Sequence, residues 1–170
     1  MRLLVLSDTH LGPSTVDHLP DEVWAMADGA DAVLHAGDVT DEALLRALAE
    51  RAPVHAVLGN NDHGLRGRLP EVLELELAGV AIGMIHDSGT SAGRGRRMAR
   101  RFPDADVVVF GHSHDPLVER GEGGQLLVNP GSPTQRRRQP VHTVAWLEVH
   151  DGEVSDARIV EVGPLVRSGS

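Results

Sequence analysis

Short apolar runs alternate with helical segments through the first sixty residues, and this alternation constrains the fold more than any other feature. Three runs have the length and continuous apolar character of strands buried on both faces: Leu3–Leu6, Ala32–Leu34 and Val54–Leu58. Between them, residues 14–27 and 41–51 place apolar side chains at helical spacing, with Thr40 or Asp41 available to cap the second helix. This order predicts parallel βαβ units.

Strand patterns dominate the second half of the chain. Val72–Leu77 alternates with period two and is followed after a short turn by Val80–Ile85, which predicts a hairpin. A basic helix over residues 92–102 precedes the apolar run Val107–Phe110. Four further strands are predicted at Leu117–Arg120, Gln125–Val128, Thr143–His150 and Val154–Val162. Two sheets flanked by helices fit this order.

Length and composition limit both the architecture and the function. A chain of 170 residues with 41% hydrophobic content predicts one domain over residues 1–165, and residues 166–170 are predicted to be a disordered tail. The formal net charge of −9 argues against bulk nucleic-acid binding, and the lack of cysteine excludes disulfides, thiolate zinc sites and cysteine nucleophiles. The first apolar run is too short for a signal segment or a membrane span, so we predict a soluble, cytoplasmic protein.

Polar side chains follow the ends of several predicted strands. They are Asp8, His10, Asp38, Asn60, His86, His112 and His114. Because α/β sheets gather ligands beyond the carboxyl ends of their strands, we expect these side chains to converge. Extended backbone at Asp8 and His10, and again at His112 and His114, would aim each pair at a common point. Such oxygen and nitrogen donors suit two borderline divalent metals that share a carboxylate, for which Asp38 beside Gly37 is the candidate.

The ordered motifs resemble those of the calcineurin-like metallophosphoesterases: Asp8-x-His10, Gly37-Asp38, Gly59-Asn60-x-Asp62, His86 and Gly111-His112-x-His114. The short length and the segment 129–132, Asn-Pro-Gly-Ser, resemble the small bacterial and archaeal phosphodiesterase branch; a retromer subunit of the same fold is also similar. The resemblance implies an α/β fold, a four-layer αββα sandwich of two mixed β-sheets flanked by helices. It also implies a metal-dependent phosphodiesterase that hydrolyses a small phosphoester through a hydroxide bound at a dinuclear metal centre.

The resemblance further implies a ligand set for each metal. By the family pattern, one metal is held by Asp8, His10, Asp38 and His114, and the other by Asp38, Asn60, His86 and His112. Two divalent ions are therefore expected, with Mn first and Ni, Fe, Co or Zn as alternatives.

Two positions depart from the family pattern. Many members carry a histidine directly after the metal-binding asparagine, where it protonates the leaving group or contacts phosphate, but this chain has Asn61. Asn61 and the neighbouring His63 are therefore the candidate catalytic residues. Asp87 follows His86 where glycine is common, and it would either weaken the binding of an anionic substrate or orient the His86 imidazole.

Several alternatives stay open. A non-catalytic interaction scaffold and a phosphomonoesterase are the competing functions, and the scaffold is disfavoured because every expected ligand position holds a suitable residue. One of Arg136, Arg137 and Arg138 is a candidate phosphate contact, and the sequence does not distinguish them. His35 is predicted to be structural rather than part of the site, and a homo-oligomer is an open alternative to a monomer.

Overall fold

Two five-stranded sheets form the centre of the fold, and helices cover their outer faces. The computed structural model describes residues 1–163, so the predicted domain end at residue 165 and the predicted tail lie outside the described residues. The strands are β1 Arg2–Leu6, β2 Ala32–His35, β3 Val54–Ala56, β4 Val72–Leu77, β5 Val80–Ile85, β6 Val107–Val109, β7 Leu117–Arg120, β8 Leu126–Asn129, β9 His142–His150 and β10 Glu153–Val162. The helices are α1 Asp21–Gly29, α2 Glu42–Ala49 and α3 Arg94–Arg101.

The first sheet has the strand order β10-β9-β1-β2-β3. Strands β1, β2 and β3 are parallel, which confirms the βαβ units, and β9 and β10 complete the sheet in the antiparallel sense. All of Leu3–Leu6 is buried, as a strand covered on both faces requires.

The second sheet has the strand order β4-β5-β6-β8-β7. The predicted hairpin is confirmed, because β4 and β5 are antiparallel with Val72 opposite Ile85 and Leu77 opposite Val80. Strands β5, β6 and β8 are parallel, so their carboxyl ends lie at one edge. Both sheets are therefore mixed.

Three apolar clusters hold the layers together. One fills the space between the sheets and includes Leu3, Leu34 and Val109. A second joins helices α1 and α2 to the first sheet, and a third joins α3 to the second sheet through Met98 and Phe102. The arrangement confirms the predicted α/β sandwich of two mixed sheets. Within residues 1–163, no helix combines the length and apolar character needed to cross a bilayer.

One predicted helix has the wrong extent. Residues 14–27 do not form a single helix: a 3₁₀ turn spans Val16–His18, and α1 begins only at Asp21. The break lies at Pro20, because proline disfavours helical backbone in the residue before it, and Leu19 is extended with ψ of 129°. The second helix agrees with prediction, since Asp41 caps it by accepting a hydrogen bond from Ala43 N.

Candidate metal centre

The loops after β1, β2, β3, β5 and β6 meet where the two sheets adjoin, and they bring the seven predicted donors together. Asp8 Oδ1 lies 3.2 Å from His114 Nε2, although the two residues are more than a hundred positions apart. Asp38 Oδ2 lies 3.5 Å from Nε2 of both His10 and His86. Strands from both sheets therefore contribute to one polar cluster.

The cluster divides into two overlapping groups of candidate ligands. Asp8, His10 and His114 form one group, and Asp8, Asp38 and His86 form the other, with ligand atoms within 4.8 Å of one another in each. Asn60 extends the second group, because its Oδ1 lies 3.0 Å from His86 Nε2 and 3.0 Å from a ring nitrogen of His112. His114 thus belongs to the first group, and His112 adjoins the second through Asn60. Asp8 is a member of both groups, whereas Asp38, the predicted bridge, is a member of the second and lies 3.5 Å from His10 of the first.

The surroundings of the buried donor atoms indicate a metal site. Asp8 Oδ1, His10 Nε2 and His114 Nε2 are buried and have no hydrogen-bond partner within residues 1–163. Buried polar atoms in native proteins are normally satisfied, so unpartnered atoms that face one another indicate a missing ligand. A divalent ion would satisfy all three.

Main-chain carbonyls fix the orientation of two histidines. His86 Nδ1–H donates to Ala36 O at 2.7 Å, and His114 Nδ1–H donates to Gln135 O. In each ring the Nε2 lone pair is therefore left for the centre, as is usual for metal-ligating imidazoles. Of the two roles considered for Asp87, orienting His86 is excluded: Ala36 orients the ring, while Asp87 Oδ1 accepts from Gly89 N at 2.7 Å.

The expected extended backbone at the paired ligands is also wrong. Asp8, His10, Asp38, His112 and His114 all have positive φ, at 54°, 47°, 55°, 67° and 60°. The alternation of side chains in a strand therefore does not apply, and sharp turns directly after the strands bring the ligands to the centre. Left-handed backbone costs of order 1–3 kcal/mol per residue outside glycine and concentrates at functional sites, although Asp and His tolerate it better than most residues.

A glycine allows two of the loops to approach each other. At Gly37, which has φ of +93°, an added Cβ would lie 2.7 Å from His86 Nδ1. A side chain there would displace His86 from the centre. The predicted close approach at this position is thus confirmed, with His86 as the neighbour that requires it.

Electrostatics leave the carboxylates ionised. Burial by itself raises the pKa of Asp38, but the neighbouring His86 ring and two hydrogen bonds from Asn61 outweigh it and hold the pKa well below its usual value. Burial likewise raises the pKa of Asp8, and contacts with His114 and Ser7 reverse the effect. Burial lowers the pKa of His10, which favours the neutral ring that a metal binds.

Asp62 supports the loops that carry Asp38 and Asn60, a role that the sequence analysis did not predict. Its buried carboxylate accepts hydrogen bonds from Asp38 N at 2.9 Å, Gly59 N at 2.7 Å and Thr40 N at 2.6 Å. The loop that carries Asp38 and the loop that carries Asn60 are therefore tied to one side chain. Its place in the motif Gly59-Asn60-x-Asp62 was the available signal.

The segment 129–132 supports the loops that carry Asp8 and His112. Asn129 Nδ2 donates to Gly111 O at 3.1 Å, just before His112, and Ser132 Oγ donates to Asp8 O at 2.8 Å. The loop of Asp8 also contacts that of His112, because Asp8 Oδ2 accepts from His112 N at 2.9 Å. The segment thus connects two ligand loops rather than serving only as a turn.

The two candidate catalytic residues have different surroundings. Asn61 is at the centre: its main-chain N and its Nδ2 donate to Asp38 at 2.8 and 2.7 Å. His63 is exposed on the 3₁₀ turn His63–Leu65, and within residues 1–163 it makes no hydrogen bond or ion pair with the seven donors.

His35 lies beneath the centre. It is fully buried, its Nδ1 accepts from Gly37 N at 3.2 Å, and its Nε2–H donates to Thr9 Oγ1 at 3.0 Å. Burial lowers the pKa of His35 to about 4, so the ring is neutral at pH 7. Its contacts are with residues that flank the ligands, and it supports two of the ligand loops from below.

A cleft of about 680 Å³ opens beside the second ligand group. Asn60, His86 and His112 line its inner end. The rest of its wall is apolar with scattered charge, and includes Leu69, Val72, Ile85, Arg66, Glu71 and Asp87. The cleft is large enough for an organic group next to the candidate metals.

The fold is that of the metallophosphoesterases, and the chain belongs to the calcineurin-like phosphoesterase superfamily, whose domain model matches residues 1–152. The predicted family resemblance is thereby confirmed. Among curated relatives, a protein of Methanothermobacter thermautotrophicus described as "Probable metallophosphoesterase" is 35% identical over 99% of this chain and 97% of its own. A second, from Methanocaldococcus jannaschii, carries the same description and is 37% identical over 89% of this chain and 77% of its own.

The fold is also similar to that of solved structures. Vps29 from Chaetomium thermophilum has a TM-score of 0.74 at 18% identity, with 96% of this chain and 99% of that chain covered. At this identity the similarity shows the fold alone.

Proposed function

We propose that this chain is a metal-dependent phosphodiesterase whose centre holds two divalent ions, with Asp38 as the shared ligand. The supporting observation is the position of Asp38 Oδ2, 3.5 Å from Nε2 of both His10 and His86. In the proposed assignment, Asp8, His10, Asp38 and His114 hold one ion, and Asp38, Asn60, His86 and His112 hold the other. Mn²⁺ is the first candidate, and the mixed donors also suit Ni, Fe, Co or Zn.

When bound, two such ions would supply Lewis acidity toward phosphoryl oxygens and would activate a water nucleophile. The protein's own contribution is to hold the donors in place. Asp62 and Ser132 fix the main chain around the ligands, while Ala36 and Gln135 select the ring nitrogens that face the centre. Such positioning matters because a displacement of about 1 Å in the reacting groups can lower the catalytic rate strongly.

Asn61 favours a diester over a monoester as the substrate. An amide is not a general acid, and Asn61 Nδ2 is already engaged with Asp38 Oδ2 at 2.7 Å. Proton donation matters most for poor leaving groups, so the site suits esters with good ones. The cleft beside Asn60 supplies room for an organic ester group. His63, the next imidazole along the chain, stays the proposed proton donor for a less reactive substrate.

The test begins with removal of all metal by a chelator, followed by restoration with Mn²⁺, Ni²⁺ or Zn²⁺. We expect turnover of bis(p-nitrophenyl) phosphate to exceed that of p-nitrophenyl phosphate. Asp38→Asn should abolish turnover, while His150→Ala, which removes an exposed imidazole paired with Asp151, should preserve it. Faster hydrolysis of the monoester would favour the phosphomonoesterase alternative, and no hydrolysis with any metal would favour the scaffold.

Elemental analysis tests the metal count separately. Two ions per chain are expected after saturation and gel filtration. A count that never exceeds one would refute the dinuclear assignment.

A further inference from the structure

The loop after the segment 129–132 carries three consecutive arginines, and their side chains have different contacts. Arg136 Nη1 donates to Gln139 O at 2.8 Å, within its own turn. Arg137 Nη1 donates to His112 O at 3.2 Å. The Arg138 side chain makes no hydrogen bond or ion pair to the residues that the structure describes. Of the three, only Arg137 contacts a loop of the candidate metal centre.

Arg137 lies at the tip of a tightly held turn. Its φ is 52°, and the hydrogen bond from Gln139 N to Arg136 O at 2.9 Å closes the turn around it. One side of the turn is anchored where Gln135 O accepts from His114, and the other where Gln139 Nε2 donates to Asp115 at 2.6 Å. The anchors are a candidate ligand and its neighbour, so the turn keeps its position relative to the centre.

The guanidinium retains unused hydrogen-bonding capacity. It is exposed, and no carboxylate of residues 1–163 lies within salt-bridge distance of it. Among the described residues its one hydrogen bond, to His112 O, leaves most of its five N–H donors available to a ligand.

We propose that Arg137 forms an anion-binding site at the rim of the candidate metal centre and donates to a non-bridging phosphate oxygen of the substrate. This inference rests on the proposed function, because the phosphoryl group is the anion expected there. Arginine suits the role, since its planar fork matches the geometry of phosphate oxygens. The cleft beside the candidate metals has room for the second ester group of a phosphodiester.

The test measures binding of inorganic phosphate to the Mn²⁺-saturated protein by isothermal titration calorimetry. Arg137→Gln should weaken phosphate binding by roughly tenfold or more, the effect expected when a hydrogen bond to a charged group is lost. Arg138→Gln is the matched control, because it removes the same charge one residue away, and it should change the affinity by less than about twofold if direct contact matters. Arg137→Lys should recover part of the binding, since lysine keeps the charge but not the fork.

Metal content and pH profile separate a binding role from a structural one. Arg137→Gln should retain the metal stoichiometry of the parent protein and the shape of its pH profile for phosphate binding. Unchanged phosphate affinity in Arg137→Gln, equal losses in Arg138→Gln, or loss of metal from Arg137→Gln would each overturn the inference.

Failure of the anion-binding site can be distinguished from failure of the proposed function. If the parent protein binds phosphate through Arg137 but hydrolyses no ester, the proposed function fails and the anion site stands. If it hydrolyses diesters and Arg137→Gln binds phosphate equally well, the anion site fails alone.

Discussion

Replacing Asp62 by asparagine tests whether one buried carboxylate holds two ligand loops together. Asp62 is 1% exposed and accepts three main-chain hydrogen bonds, two at Oδ2 from Asp38 N and Gly59 N and one at Oδ1 from Thr40 N. Asparagine has nearly the same shape but only one acceptor oxygen. If that oxygen keeps the two bonds at Oδ2, the new NH₂ group faces the N–H of Thr40.

The magnitude follows from the bonds that are changed. Losing a hydrogen bond to a charged acceptor costs about 1.5–3 kcal/mol, and leaving the Thr40 N–H without an acceptor costs about 1–3 kcal/mol more. We expect Asp62→Asn to lower the free energy of unfolding by about 2.5–6 kcal/mol, the sum of the two costs. Mn²⁺ affinity should also fall, by roughly 10–100-fold, as is typical when a group that orients metal ligands is lost.

Urea denaturation of the chelator-treated protein measures the free energy of unfolding, and calorimetric Mn²⁺ titration measures the Mn²⁺ affinity. Asp41→Asn is the matched control, because Asp41 accepts one main-chain hydrogen bond as a helix cap and asparagine caps equally well. It should change the free energy of unfolding by less than about 0.5 kcal/mol. Equal urea midpoints for the two variants would refute the bracing role of Asp62.

Three further predictions concern protonation and metal binding. Because the pKa of His35 is about 4 in the fold and 6.5 ordinarily, the unfolded chain alone binds a proton between these values. The contribution of His35 to stability should therefore fall by about 3 kcal/mol as pH drops from 6.5 to 4; His35→Gln should flatten the pH dependence of stability in urea titrations, and an unchanged slope would contradict the assignment. His112→Ala and His114→Ala should each lower the metal count by one in elemental analysis, and loss of both ions from either variant would contradict separate sites. Chelation should lower Tm and Mn²⁺ should restore it, because a ligand of the folded state stabilises it; Asp38→Asn should abolish this response.

Much of the architecture could be predicted because local patterns agree with the tertiary fold. The hairpin Val72–Leu77 and Val80–Ile85 was predicted with its observed bounds, since period-two alternation is a local property. The prediction of one helix over residues 14–27 is wrong because its apolar pattern continues across Pro20, and proline keeps the residue before it out of the helical conformation.

The sequence by itself determined which donors would meet. Polar residues directly after apolar strands must lie at a sheet edge, and this rule brought Asp8, Asp38 and His114 into one prediction. The backbone that carries them was not predictable, because the left-handed turns at Asp8 and His114 are maintained by contacts with residues distant in the chain.

Only the tertiary structure decided the roles of Asp62 and Arg137. Asp62 accepts from three separate main-chain positions, and Arg137 is the one of three identical neighbours that contacts His112. Residue type and spacing identify what a side chain can do. Which partner it contacts depends on how segments more than a hundred residues apart pack, and that information lies in the fold as a whole.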